Sequence, residues 1–173
     1  VLAIGAEDFI PPVPGIDGKN VVIGEDVLTG RKTVIGSAII VGGGLVGCEI
    51  AEFLISKGVK DVTVLEMLKR MADNLAPTYR PFFLARLKKD GVKFETETTV
   101  TRITNQGVDV IKNGAAGFIN GDTVVIASGY NADPRKIEQY KGSAAEIYSV
   151  GDCVKARMIK DAIEEGFGTG KSI

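Results

Sequence analysis

The sequence predicts an α/β fold, a parallel sheet with intervening helices that also carries an antiparallel β-meander. Three observations point to it. A short apolar run, residues 38–41, closes on Gly42-Gly43-Gly44 and gives way at once to helical spacing. Strand-like and helix-like segments then alternate as far as residue 94, the order expected of a parallel α/β layer. Beyond residue 98, β-rich runs are separated by Asn-Gly pairs, which favour hairpins.

The elements follow in order. The run 38–41 ends the stretch 34–41 (VIGSAIIV); apolar throughout and bounded by glycine, it suits a strand buried on both faces. Over residues 45–57, Val46, Ile50, Phe53, Leu54 and Lys57 recur near helical spacing, and Gly58 stands where a C-terminal cap belongs. Residues 62–66 (VTVLE) form a β-branched strand. Residues 77–90 predict a second helix: Pro77 fits its first turn, Phe83, Leu84 and Leu87 recur, and Lys88-Lys89 precede Gly91. Residues 92–94 supply a further parallel strand. The runs 98–104, 108–112 and 123–127 make the meander and return the chain to a core strand that ends at Ser128-Gly129.

The flanks differ. Residues 1–30 open inside an apolar run, Val1-Leu2-Ala3-Ile4, and continue through a segment with three of the six prolines that reads as an extended linker. Residues 159–173 predict a helix start followed by Gly166, Gly168 and Gly170. Both ends give the expectation of a truncated chain. Val1-Leu2-Ala3-Ile4-Gly5 also echoes Val125-Ile126-Ala127-Ser128-Gly129, each an apolar strand closing on Ala-x-Gly.

Composition narrows the chemistry. The chain has 173 residues, 45% apolar and 25% charged, a globular balance, and its 22 glycines are well above average usage. With no histidine, triad catalysis and His metal ligation are excluded. Cys48 and Cys153 form neither a CxxC pair nor a disulfide framework. A net charge of −1 without a basic run leaves no footprint for nucleic acid. No apolar stretch is long enough to span a membrane and no signal peptide is evident. The expectation is a soluble, cytoplasmic domain.

The residues that carry chemistry are few. Gly42-Gly43-Gly44-Leu45-Val46-Gly47 fits G-x-G-x-x-G between a predicted strand and a predicted helix. In that context the glycines allow a tight turn, close backbone approach to a pyrophosphate, and close helix packing. Glu66 ends the next strand, about 20 residues on, where a carboxylate can accept from ribose hydroxyls. Together these predict a Rossmann-like, three-layer dinucleotide-binding domain, with NAD(H) favoured over NADP because Glu66 would repel a 2′-phosphate. Lys69 and Arg70 oppose that preference. Glu146-Ile147-Tyr148-Ser149-Val150-Gly151-Asp152-Cys153 reads as a short strand and a Gly-Asp turn, which alone is also an ordinary strand end. Cys48 reads as core, and Glu49 as a helix carboxylate favoured by the N-terminal dipole.

Gly42-x-Gly44-x-x-Gly47-Cys48-Glu49, Val64-Leu65-Glu66-Met67 and Tyr148-Ser149-Val150-Gly151-Asp152-Cys153 together resemble the pyridine-nucleotide-disulfide oxidoreductase superfamily. The nearest likeness is to the C-terminal region of NADH:flavin oxidoreductases related to 2-enoate reductase, 2,4-dienoyl-CoA reductase and trimethylamine dehydrogenase. The resemblance implies an NAD(H)-binding domain, residues 32–133, inserted into an FAD/ADP-binding domain of which residues 1–31 and 134–173 are partial strips. It assigns Gly42, Gly44, Leu45, Val46 and Gly47 to the pyrophosphate, Glu66 and Met67 to the adenosine end, and Glu49 to the neighbourhood of the nicotinamide. Gly129 falls at a crossover, and Gly151 and Asp152 fall at the flavin. The expected activity is hydride delivery from NADH to a flavin, with no catalytic side chain in this chain. An N-terminal barrel with FMN and an iron-sulfur cluster is expected elsewhere in the polypeptide. A self-contained NADH-binding or sensing module is the alternative.

Overall fold

The computed structural model describes residues 1–173. In chain order it contains β1 (Glu7–Asp8), β2 (Val21–Ile23), α1 (Gly24–Leu28), β3 (Ala38–Val41), α2 (Leu45–Ser56) and β4 (Val62–Leu65). There follow α3 (Arg80–Lys89), β5 (Lys93–Glu95), β6 (Thr98–Thr104), β7 (Gly107–Lys112), β8 (Ala115–Asn120) and β9 (Thr123–Ile126). β10 (Tyr130–Asn131), α4 (Pro134–Glu138), a 3₁₀ turn (Gly151–Cys153) and α5 (Ile159–Ser172) complete it. Two compact units result, residues 10–129 and residues 1–9 with 130–173.

The larger unit has three layers. Its centre is a five-stranded parallel sheet in the order β2-β9-β3-β4-β5. Along each central strand, side chains alternate between two cores, as the pleat requires. Ile40, Val64 and Val125 join Cys48, Ile50, Leu54, Phe83 and Leu87 on the helical side. Ile39, Leu65, Val124 and Ile126 join Val100, Ile103, Val108 and Val110 of the antiparallel β6-β7-β8 sheet on the other. Strands buried on both faces explain the continuous apolar runs. The α/β fold with parallel and antiparallel sheets is as the sequence predicts.

Several details differ. The segment expected to be an extended linker carries regular structure, β2 and α1. Its stretch Val21–Ile23 pairs in parallel with β9 and extends the central sheet, and the larger compact unit runs from residue 10 to residue 129. Three residues carry too little periodicity to announce a strand. β8 was also absent from the expected meander because its residues are small and mostly exposed. α3 starts at Arg80, with Pro81 rather than Pro77 in its first turn.

In the smaller unit, β1 pairs with β10 antiparallel. The strand expected over residues 146–150 reduces to one parallel bridge between Leu2 and Ser149, framed by Leu2 N–H to Tyr148 O (2.7 Å) and Val150 N–H to Leu2 O (2.9 Å). α5 runs through all three of its glycines and buries no residue.

Candidate nucleotide-binding site

The turn from β3 to α2 is built around four glycines, three of them required by the protein itself. Gly42 has φ +111°, and a Cβ there would lie 2.3 Å from Ala127 O. A Cβ on Gly43 would meet Met71 Sδ at 2.3 Å and the Glu66 Cβ at 2.7 Å. On Gly47 it would sit 1.9 Å from Gly42 O, so α2 packs on its own entry turn only if that position is bare.

Gly44 is different. Its backbone is extended (φ −64°, ψ −175°) and an added Cβ would meet nothing within 4 Å. It is the N-cap of α2, where Ser, Thr, Asp or Asn is usually favoured. Neither packing nor backbone asks for glycine there. A bare Cα at the first turn of a helix is the arrangement that lets main-chain N–H groups approach a phosphate. The residues present therefore fit a dinucleotide.

Glu66 completes the turn. It is 8% exposed, its Oε2 accepts from Gly43 N–H at 2.8 Å, and its Oε1 accepts from Leu68 N–H at 2.8 Å. The carboxylate expected to be free for a ribose already braces the glycine loop. Each oxygen keeps a further lone pair for a hydroxyl.

The sequence profile of the pyridine nucleotide-disulphide oxidoreductase family matches residues 1–166. The chain belongs to that family. It is 31% identical to a metal reductase from Desulforamulus reducens, over 96% of this chain and 29% of that protein. It is 32% identical to an NADH oxidase from Thermoanaerobacter brockii, over 96% of this chain and 26% of that protein. A solved 2-naphthoyl-CoA reductase complex superimposes with a TM-score of 0.91 at 29% identity, over 98% of this chain and 26% of the other. The chain thus spans about a quarter of the length of these relatives.

A segment of this oxidoreductase domain that sequence reasoning missed lies over the glycine turn. Met71 and Ala72 are buried, Ala72 at φ +47°, and Ala72 N–H donates to Gly43 O at 2.7 Å. Asn74 Oδ1 accepts from Leu45 N–H at 3.0 Å, and Asp73 pairs with Arg80 at 2.7 Å. The turn-prone Asp73-Asn74 pair was the only sequence signal for it.

The other expected residues fall as follows. Leu45 and Val46 open α2, and Glu49 is exposed one turn on. Burial and then the Glu52 charge raise the Glu49 carboxyl above its ordinary range. Met67 is 66% exposed beside Glu66. Gly129, at φ +99°, lies three residues beyond β9. In the smaller unit, Gly151 (φ +73°) donates its N–H to Glu165 Oε2 at 2.7 Å, and Asp152 Oδ1 accepts from Arg157 N–H at 3.2 Å. The Arg157 guanidinium also bonds Glu165, which closes a ring around the Gly-Asp turn.

Disulfide chemistry has no seat here. Cys48 is wholly buried under the glycine loop, its Sγ 3.7 Å from Gly43 O, and burial with the nearby Glu66 and Glu49 charges pushes its thiol up to about 12. Cys153 is also buried and free, its Sγ 3.1 Å from Val150 O. No group of three or more His, Cys, Asp or Glu side chains is arranged to hold a metal ion. No helix is long and apolar enough to cross a membrane.

Proposed function

We propose that residues 10–129 bind NADH and present it to a flavin, so that the chain is the nicotinamide-nucleotide-binding part of a flavin-dependent oxidoreductase. The observation that carries this reading is Gly44, a glycine the protein does not need, at the first turn of a helix whose entry loop is braced by Glu66. Gly42, Gly44, Leu45, Val46 and Gly47 line the pyrophosphate, Glu66 and Met67 the adenosine, and Glu49 the nicotinamide half, with Gly129 at the crossover.

Glu66 favours NADH over NADPH, since a buried carboxylate at the ribose repels a 2′-phosphate. The metal reductase, the NADH oxidase and the naphthoyl-CoA reductase have names that differ in electron acceptor, yet each matches this chain over a similar quarter of its length. That pattern supports placing the shared donor side here and the acceptor side elsewhere. When bound, the cofactors supply the hydride chemistry, and the protein supplies position and electrostatics.

The Gly151–Asp152 turn would contribute to FAD. The Glu165–Arg157 ring holds it in place, and Asp152 leaves its second carboxylate oxygen without a hydrogen bond. A 2-enoate or 2,4-dienoyl-CoA acceptor, and an N-terminal barrel carrying FMN and an iron-sulfur cluster, complete the proposal for the whole polypeptide. Calorimetry with NADH and NADPH tests it: the chain should bind NADH modestly and NADPH more weakly, hold FAD poorly and turn over nothing alone. Absence of binding to either nucleotide would refute it.

A further inference from the structure

Asn74 stands out because a residue 29 positions away does what an ordinary N-cap does locally. A Ser or Asp at position 44 could cap α2 without meeting any protein atom within 4 Å of its Cβ, and such caps stabilise a helix by about 1 kcal/mol. The protein instead keeps position 44 bare and brings a carboxamide in from the 71–74 segment. That segment is held by Ala72 N–H on Gly43 O, by buried Met71 and by the Asp73–Arg80 pair.

The carboxamide has a defined polarity. Leu45 N–H is a donor, so it must face Oδ1, and the two Nδ2 hydrogens point elsewhere. Nδ2 makes no hydrogen bond, and Asn74 is exposed. Two unengaged N–H donors therefore sit on the same carboxamide that engages the first turn of α2, where position 44 is open.

From this geometry we infer that Asn74 is a dinucleotide-binding residue: Oδ1 holds the Leu45 amide while Nδ2 donates to an oxygen of the diphosphate. The inference rests on the NADH reading above and adds to it a ligand from outside the G-x-G-x-x-G motif. It also explains why the cap is remote, since only a side chain arriving from the side can both engage the helix end and leave Gly44 open.

Asn74→Asp is the decisive variant. It keeps the acceptor for Leu45 N–H, and a carboxylate at a helix N-terminus is favourable, so thermal stability should hold or rise. It replaces the phosphate donor with a negative charge, so affinity for NADH and for ADP-ribose should fall about 30-fold or more. Asn74→Ala, which removes cap and donor together, should lower both stability and affinity, the latter by about 3- to 10-fold. A purely structural Asn74 predicts the opposite for Asp: preserved stability with unchanged affinity. NADH binding by Asn74→Asp within twofold of the unsubstituted chain overturns this inference alone. Failure of the unsubstituted chain to bind NADH or ADP-ribose overturns it together with the NADH reading.

Discussion

The carboxylate of Glu66 accepts the N–H of Gly43 at 2.8 Å, tying the end of β4 to the turn between β3 and α2 across 23 residues of sequence. The second oxygen takes Leu68 N–H, so one buried side chain holds the glycine loop and the segment that follows β4. Any role at a ribose is added to this bracing.

Glu66→Gln should therefore lower stability as well as affinity. An amide nitrogen cannot accept an N–H, so one buried backbone donor loses its partner, a cost of about 1–3 kcal/mol. Urea denaturation measures the first effect and calorimetry with NADH the second. Unchanged NADH affinity in Glu66→Ala would remove Glu66 from the ribose.

Two glycine substitutions should separate folding from binding. Gly47→Ala places a methyl 1.9 Å from Gly42 O, where backbone must move, and should cost about 1–3 kcal/mol as overpacking does. Gly44→Ala meets no protein atom, so the thermal midpoint should stay within a few degrees while NADH affinity drops. Equal stability losses in the two variants would contradict the packing described for the turn.

Cys48 should resist thiol reagents in the folded chain at pH 8 and react only on unfolding. Its thiol is raised from 9.0 to about 12 by burial first and by the Glu66 and Glu49 charges next. A folded pKa above the unfolded one means this contribution is whole below about pH 9 and is lost as pH rises toward 12. Thiol titration in buffer and in denaturant, with unfolding curves from pH 8 to 11, checks both statements.

Leu87→Ala on α3 should destabilise the larger unit by about 2–5 kcal/mol, because Leu87 is 1% exposed among Phe83, Val62 and Val64. Phe82→Ala, on the same helix but 73% exposed, should change stability by less than about 0.5 kcal/mol. Chemical denaturation of the two variants distinguishes them.

Glu165 should titrate below the ordinary glutamate range, held down by the Arg157 guanidinium and then by Gly151 N–H. The sign follows: the bracing of the Gly-Asp turn is present above the usual carboxylate pKa and lost as pH falls. The amide resonance of Gly151 should report this midpoint, and Glu165→Gln should abolish the titration.

Much of the larger unit is legible in the sequence because its signals are local. The apolar run at 38–41, the helical spacing after Leu45 and the Asn-Gly pairs each fix an element without reference to a partner. β2 and β8 were not legible for the converse reason: three and six residues of weak pattern become strands only because β9 and β7 offer them hydrogen-bonding edges. The expected strand over 146–150 fails by the same rule, since only Leu2 is there to bridge it.

The sequence by itself determined the three-layer class, the glycine turn and the acid at the end of the next strand, because spacing along one βαβ unit is enough to specify them. Only the tertiary structure decided which glycines the protein needs and which it leaves open, that Glu66 is already engaged, and that Asn74 reaches the first turn of α2. Those relationships join residues 23 to 29 positions apart through a segment with no periodicity. They exist only once Met71 and Ala72 are buried against the loop.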